Sequence, residues 1–197
     1  MQQLSIFVNT LYMNEISHQN LESAIFAGGC FWCVESDFQK RPDVKDIESG
    51  YMGGETDDPS YETAASNGHR EVVRVWYDPK EVTYSELLAH FFATHDPTDA
   101  GGSFYDRGHT YTSAIYTQNQ QQEEEALSAI EKLKEGDVYS DDIDTEVLSA
   151  EEFWAAEEYH QDYADKNPEH YKQYRSGSGR EEFITEHQDA VYEALDL

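Results

Sequence analysis

The sequence predicts one α+β domain, and two observations carry this prediction. The order strand, helix, strand occurs twice along the chain, which is typical of split βαβ units. The 197 residues are 38% hydrophobic and 13% aromatic. This hydrophobic content suffices for a globular core, and the aromatic content is higher than a disordered acidic chain would have. We therefore predict a two-layer sandwich with a ferredoxin-like split βαβ core and peripheral helices.

The first strand–helix–strand unit lies between residues 23 and 51. Residues 23–27 are a short apolar strand candidate, followed by two glycines. Residues 30–40 carry apolar side chains at helical spacing and stop before Pro42, which predicts a helix. Residues 44–51 read as the second strand of this unit.

The second unit begins with residues 71–77, whose alternating apolar side chains predict a strand. Residues 83–86, Thr-Tyr-Ser-Glu, form a capping-box pattern that opens a helix running to about residue 95. The Gly-rich, polar residues 96–109 predict a loop, and residues 113–116 predict a short strand.

The last third of the chain is mostly helical by pattern. A helix is predicted over residues 118–135 and a strand over 145–148. A second capping-box pattern at 149–152 predicts a helix through residue 164. The run Ser-Gly-Ser-Gly at 176–179 indicates a flexible linker, after which residues 183–195 form a detachable amphipathic helix.

These patterns divide the chain into three parts. We predict an N-terminal extension over residues 1–20, a catalytic domain over 21–175, and a linker with a C-terminal helix over 176–197. No internal repeat is visible.

The charge balance is strongly acidic, with 41 acidic and 13 basic residues and a formal net charge of -28. Such a field repels phosphate backbones and anionic lipid surfaces, so neither nucleic acid nor a membrane is an expected partner. The acidic residues are spread along the chain rather than gathered in one tail. This favours adaptation to high salt over the alternative of an ordinary acidic protein.

The expected location is the cytoplasm. The first basic residue is Lys40, so the N-terminus has no positively charged region of a signal peptide. No apolar run approaches the roughly 18 residues that cross a bilayer. Cytoplasmic thiols are kept reduced, and paired cysteines there are usually catalytic, redox-sensing or metal-binding. We expect a monomer.

The two cysteines of the chain are Cys30 and Cys33. Positions three apart share one face of a helix at a separation compatible with a disulfide. Cys30 lies at the predicted helix start, where unpaired N–H groups and the helix dipole favour a thiolate. Redox catalysis is the favoured interpretation. Inert structural cysteines and a zinc site with His90 and His95 remain alternatives, although those histidines lie roughly 140° apart around a helix.

A series of short motifs resembles the peptide methionine sulfoxide reductase A family. The Gly-Cys-Phe-Trp-Cys-Val-Glu run at residues 29–35 is its signature. The similarity spans roughly residues 23–171, and a series of matches in the family's order is specific where one match would be weak. The further matches lie at residues 50–54, 59–61, 67–71, 77–79, 95–98, 106–113 and 158–161.

The resemblance implies an activity and a set of site residues. The activity is reduction of methionine S-sulfoxide, free or in oxidised proteins, which repairs oxidative damage without a metal or prosthetic cofactor. The residues are the nucleophile Cys30, the proton-donating Glu71, the phenols of Tyr61 and Tyr111 on the sulfoxide oxygen, the aromatic wall of Phe31 and Trp32, and the orienting Asp106.

The implied chemistry suits these residue types. A sulfoxide oxygen leaves poorly until it is protonated, and a carboxyl kept neutral in a partly apolar pocket can donate that proton near pH 7. Two phenols steady the oxygen as its charge changes. Cys30 then attacks the sulfur and becomes a sulfenic acid.

The tail departs from the family, because many members carry recycling cysteines there and residues 167–179 have none. The resemblance therefore implies that Cys33 attacks the Cys30 sulfenic acid to form a disulfide. Thioredoxin or a similar dithiol would then reduce that disulfide. Two alternatives remain, a thioredoxin-like dithiol oxidoreductase and a non-enzymatic acidic redox-sensing module.

Overall fold

The computed structural model describes residues 18–197, so most of the predicted N-terminal extension lies outside the described residues. None of the helices within 18–197 is long and apolar enough to span a bilayer. The strands are β1 (Glu22–Ala27), β2 (Val44–Met52), β3 (Arg70–Tyr77), β4 (Gly102–Ser103), β5 (Asp106–Arg107), β6 (Ala114–Thr117), β7 (Glu146–Ser149) and β8 (Trp154–Ala155). The helices are α1 (Phe31–Gln39), α2 (Tyr84–Thr94), α3 (Gln120–Glu135), α4 (Tyr163–Lys166), α5 (Pro168–Gly177) and α6 (Arg180–Ala194).

Six strands form the main sheet in the order β7-β6-β1-β3-β2-β8. Only β6 and β7 run parallel, and the other neighbours are antiparallel. Strand β3 lies between β1 and β2, and β1 lies between β3 and β6, so each strand–helix–strand unit encloses one intervening strand. The predicted α+β class, with helices on a mostly antiparallel sheet, is confirmed.

The core follows from the alternation of side chains along β1. Ala24 and Phe26 point into the larger apolar cluster, whereas Ile25 and Ala27 belong to a smaller cluster on the opposite face. Helices α1, α2, α3 and α6 all contribute buried apolar side chains to the larger cluster, so they form one layer on one face of the sheet.

The local patterns placed most elements correctly. The capping box that opens α2 is present, because Thr83 Oγ1 accepts a hydrogen bond from Glu86 N at 3.2 Å and Glu86 accepts one from Thr83 N at 2.8 Å. Helix α3 begins two residues later than predicted, at an Asn119 cap that accepts from Gln122 N at 3.0 Å. The predicted loop 96–109 contains the small β4–β5 hairpin.

The helix predicted from residue 149 to 164 is wrong. Residues 150–162 instead run along the edge of the sheet, where Trp154 and Ala155 pair with β2. The Gln161 amide fastens this segment by accepting from Ser49 N at 2.8 Å and donating to Ser49 O at 2.9 Å. Pairing with the open edge of β2 satisfies backbone groups that a separate helix would leave exposed.

The flexible linker predicted at residues 176–179 is also wrong. Helix α5 continues to Gly177, and the buried Ser178 hydroxyl donates to Arg175 O at 2.8 Å. Gly179 then adopts a positive φ of 85° that turns the chain directly into α6. Helix α6 packs on α2 and buries Val191 completely, so it is part of the core and not detachable.

Candidate active site

Cys30 lies at the N-terminus of helix α1, directly after the turn that follows β1. It is the N-cap residue of that helix, with φ -53° and ψ 120°. Gly29 precedes it with φ +94°, and a Cβ there would collide with the Ser103 side chain. Cys30 and Cys33 are both buried and both free thiols. The strand–glycine–helix sequence therefore holds both sulfurs at one helix start, as predicted.

Glu71, the second residue of β3, reaches across to the same helix start. Its carboxyl accepts a hydrogen bond from Phe31 N at 2.9 Å and is buried. Burial raises the pKa of Glu71 to about 8, although the Phe31 N–H opposes that shift and Asp106 adds to it. The carboxyl therefore carries a proton at neutral pH and can donate it.

The prediction that the helix start lowers the pKa of Cys30 is wrong. Burial raises the pKa of the Cys30 thiol well above its ordinary value, with further increases from Cys33 and from the charge of Glu71. The free N–H of the first helical residue serves Glu71 instead of the sulfur. A hydrogen bond from the Cys30 thiol, together with the charges of Arg180 and Arg175, lowers the pKa of Cys33 to about 7.

The two predicted phenols and the predicted aspartate lie around this pair. Burial raises the pKa of both Tyr61 and Tyr111, and in each case the charges of Glu71, Asp106 and Cys30 raise it further. Because such charge effects weaken with distance, Tyr61 and Tyr111 lie in the same region of the molecule as Glu71, Asp106 and Cys30. Tyr61 is 43% exposed, which opens the cluster to solvent on its side.

Of the two residues predicted to form the aromatic wall, only Trp32 keeps an accessible surface. Its indole stacks on Tyr163 with ring centroids 3.8 Å apart, and its Nε1 donates to His160 Nδ1 at 3.1 Å. Phe31 is 1% exposed and packs behind it, 5.0 Å from the His160 ring. His160 in turn lies 4.6 Å from the Tyr61 ring.

Tyr174 of helix α5 belongs to the site and was missed from the sequence. Its hydroxyl donates to Asp106, and its ring lies edge-on to the Trp32 indole with centroids 6.2 Å apart. No local pattern marks a tyrosine that reaches the site from the far end of the chain.

Glu35 is the other buried carboxyl of α1, and its contacts face away from the thiols. One oxygen accepts from Ser49 Oγ at 3.2 Å and the other from Tyr163 N at 3.2 Å. Burial raises the pKa of Glu35 to about 7, against the effect of these hydrogen bonds. Glu35 thus joins α1 to β2 and to the start of α4.

The zinc alternative receives no support. His90 Nε2 lies 3.0 Å from Asp37 O, and both ring nitrogens of His95 contact Phe91 O and Ser113 Oγ at 2.7 Å. Within residues 18–197 no group of three or more His, Cys, Asp or Glu side chains could hold a metal ion.

Comparison with known proteins shows which family the chain resembles. The family described as peptide methionine sulfoxide reductase matches residues 22–191. The peptide methionine sulfoxide reductase MsrA of Bacillus licheniformis is 48% identical over 168 residues, which are 84% of this chain and 93% of that protein.

Two crystal structures of Mxr1 from Saccharomyces cerevisiae share the fold. The reduced form has a TM-score of 0.72 and 32% identity, covering 76% of this chain and 87% of that one. The form in complex with Trx2 has a TM-score of 0.53 and 24% identity, covering 74% and 86%.

Proposed function

This chain belongs to the peptide methionine sulfoxide reductase A family and reduces methionine sulfoxide, and we propose that it does so through Cys30, Glu71 and Cys33. The observation that carries the proposal is the buried Glu71 carboxyl, which accepts a hydrogen bond from the N–H of the residue after Cys30 and whose pKa burial raises to about 8. With this membership the thioredoxin-like and non-enzymatic alternatives are set aside.

In the first step the Cys30 sulfur attacks the sulfoxide as Glu71 delivers its proton to the sulfoxide oxygen. The oxygen passes to Cys30 as a sulfenic acid, the S–O bond of the substrate breaks, and methionine leaves. The Cys30 proton passes to the Cys33 sulfur, which can accept it as a thiolate because its pKa is lowered to about 7. Methionine sulfoxide is reduced, Cys30 is oxidised, and Glu71 is left as a carboxylate.

Tyr61 and Tyr111 have the chemistry to hydrogen-bond the sulfoxide oxygen, because neutral phenols donate well and both are kept neutral here. Trp32 offers an aromatic surface for the substrate's methyl group, with Phe31 supporting it. Asp106, held by Tyr174, is placed to orient the substrate. If the oxygen and the methyl group occupy these two sides, the site selects one epimer, and the family resemblance implies that it is the S epimer.

In the second step Cys33 attacks the Cys30 sulfur. A disulfide forms, the S–OH bond breaks, and the hydroxyl leaves as water with the Cys33 proton. Cys33 lies one helical turn after Cys30, and its N–H donates to Cys30 O at 3.0 Å, which supports a direct closure. We propose that thioredoxin or a similar dithiol then reduces the disulfide, in line with the Trx2 complex of Mxr1. No prosthetic cofactor enters this cycle.

We propose three wider properties. The strand order β6-β1-β3-β2 supports a ferredoxin-like description of the scaffold. The reliance on two reduced thiols supports a cytoplasmic location for the enzyme. We also propose that the enzyme acts as a monomer.

The test is a single turnover without reductant, using each epimer of a methionine sulfoxide peptide in turn. We expect one methionine per chain from the S epimer, with loss of both thiols. Cys30→Ser should give no methionine. Cys33→Ser should give one methionine and a sulfenic acid on Cys30 that a diketone probe traps. Methionine from Cys30→Ser, or full thioredoxin-driven cycling by Cys33→Ser, would contradict the proposed roles.

A further inference from the structure

His160 lies in the segment that runs along the edge of the sheet, and it is only 2% exposed. Its ring packs against four aromatic rings, with centroid distances of 5.0 Å to Phe31, 5.7 Å to Trp32, 4.6 Å to Tyr61 and 4.1 Å to Tyr159. Trp32 is proposed above to receive the substrate's methyl group, and Tyr61 to bind its oxygen. His160 therefore contacts residues from both sides of the proposed substrate site.

The hydrogen bond to Trp32 fixes where the imidazole of His160 carries its proton. Trp32 Nε1 donates to His160 Nδ1 at 3.1 Å. An indole nitrogen can only donate, so Nδ1 has to be an unprotonated acceptor. The proton of the neutral ring is therefore on Nε2.

The surroundings of His160 Nε2 favour the same tautomer. This nitrogen is buried without a hydrogen-bond partner among the described residues, and Glu157 Oε2 lies 3.9 Å from it. A carboxylate at that distance is too far for a hydrogen bond, but its charge favours an N–H on its side of the ring. Burial lowers the pKa of His160 below its ordinary value, against the charge of Glu157, so the ring is neutral at pH 7.

The other contacts of the Trp32 indole are made by ring surfaces. Tyr163 stacks on it with centroids 3.8 Å apart and planes 9° apart. The rings of His170 and Tyr174 lie edge-on to it, at 6.5 Å and 6.2 Å. Stacking alone lets an indole slide and turn in its own plane, whereas an N–H···N hydrogen bond is directional. The bond to His160 is therefore the contact that fixes the in-plane orientation of Trp32.

We propose that His160 is a positioning residue for substrate binding, whose neutral imidazole accepts the indole N–H and so holds Trp32 in the orientation that receives the substrate's methyl group. The inference deepens the proposed function and rests on the role given there to Trp32. His160 exchanges no proton with the reacting groups. Its loss should therefore weaken substrate binding and leave the chemical step largely intact.

The first test removes the acceptor and keeps an aromatic ring. His160→Phe offers no lone pair to Trp32, and we expect KM for a methionine sulfoxide peptide to rise about tenfold with kcat within about threefold of the parent. His160→Asn has a side-chain oxygen that can accept the indole N–H, and it should recover part of the loss. The control His187→Phe removes a ring nitrogen that contacts Phe183 O at 2.9 Å within its own helix, and it should leave KM unchanged. A KM of folded His160→Phe within about twofold of the parent overturns the inference.

A second comparison distinguishes an effect through Trp32 from general packing. A chain with Trp32→Phe has no indole N–H, so adding His160→Phe should raise KM by less than about twofold more. A residue that only packs against its neighbours would give the same fold-change with and without the indole. Equal fold-changes in the two backgrounds therefore overturn the inference.

A third measurement keeps every side chain, in case the buried substitution prevents folding. Long-range proton–nitrogen NMR spectra of the ¹⁵N-labelled enzyme at pH 7 distinguish a protonated from an unprotonated imidazole nitrogen. We expect an unprotonated Nδ1 and a protonated Nε2 for His160, together with slow solvent exchange of the Trp32 indole N–H. A proton on Nδ1 at pH 7 overturns the inference, because that nitrogen could not then accept the indole N–H.

The outcome is separable from the proposed function. Methionine formation in a single turnover at saturating sulfoxide reports Cys30 and Glu71, and it should be retained in His160→Phe. Loss of methionine formation from the wild-type chain would refute the proposed function. An unchanged KM in Trp32→Phe would refute the role of Trp32 and the inference with it. A raised KM in Trp32→Phe with an unchanged KM in His160→Phe would refute the inference alone.

Discussion

Two buried glutamates contact helix α1 from different sides, and they serve different regions of the molecule. Glu71 accepts a hydrogen bond from Phe31 N at the helix start and lies among the thiols and phenols. Glu35, on the helix itself, accepts hydrogen bonds from Tyr163 N and from the Ser49 hydroxyl. Burial raises the pKa of both, to about 8 and about 7. A shifted pKa therefore does not distinguish the two.

Their neighbours do distinguish them. Glu35 contacts one hydroxyl group and one backbone N–H, on β2 and at the start of α4. Its carboxyl therefore holds α1, β2 and α4 together. Glu71 is surrounded by groups whose own ionisation it affects, namely Cys30, Tyr61 and Tyr111. A titratable group is a candidate catalyst when it faces other reactive groups, and the shift alone is common to structural carboxyls.

The largest difference should appear when each carboxyl becomes an amide. Glu71→Gln keeps an acceptor for Phe31 N but has no proton to give, so kcat should fall by about 10²- to 10⁴-fold. The activity of the unmodified enzyme should also decline as pH rises through about 8, where Glu71 ionises, and the variant should lack this decline. Steady-state rates across pH measure both. A Glu71→Gln rate near that of the parent enzyme would remove Glu71 from the mechanism.

Next in size is the loss of either phenol from the Glu71 region. Tyr61→Phe and Tyr111→Phe each remove one hydrogen-bond donor from the sulfoxide oxygen and should lower kcat/KM by about tenfold. The matched control is Tyr105→Phe, whose ring is 70% exposed, and it should change nothing. If neither site variant differs from that control, the two phenols are packing residues.

The contrast between the two regions also explains which parts of the fold could be predicted from the sequence. Strand β1, helix α1 and the Thr83 capping box depend on neighbours in the chain, and their patterns predicted them. The capping-box pattern at 149–152 failed, because Gln161 joins that segment to Ser49 on another element. Contacts between distant parts of the chain leave no local pattern.

The site divides in the same way. The cysteine pair was found from its spacing, while Glu71, Tyr61 and Tyr111 were identified only through a family resemblance. Tyr174 belongs to a helix that returns to the site from the end of the chain, so only the structure could reveal it.

The Glu35 region should respond in stability rather than in rate. Gln161→Met removes the partner of Ser49 N and one of the two donors to Ser49 O, which keeps Ala156 N. Leaving a buried N–H unpaired should cost about 2 kcal/mol of unfolding free energy. The control Gln39→Met loses only an exposed bond to Asp162 and should cost less than about 0.5 kcal/mol. Denaturant unfolding measures both, and kcat should stay within a few-fold of the parent.

A comparable loss of stability in the two variants would mean that Gln161 does not hold the 150–162 segment. A large loss of kcat in Gln161→Met would mean instead that this segment positions the reacting groups, and the division between the two regions would fail.

The smallest effect on catalysis is expected for Glu35→Gln, which should keep kcat within about twofold because no reacting group contacts Glu35. Its signature is the pH dependence of stability. The folded pKa of about 7 lies above the ordinary value of 4.5, so the folded state binds more protons between these pH values. This contribution is complete below about pH 4.5 and is lost as pH rises to about 7.

Glutamine stays neutral, so the midpoint of thermal unfolding in Glu35→Gln should fall less between pH 5 and pH 7 than in the parent chain. The parent's loss from this group is at most about 3 kcal/mol. Glu71→Gln should flatten the same curve up to about pH 8, since its carboxyl is also raised by burial. Both variants should therefore flatten the pH dependence of stability, and only Glu71→Gln should lower kcat. Equal losses of kcat would show that both carboxyls act on the thiol, and the division drawn from their neighbours would be wrong.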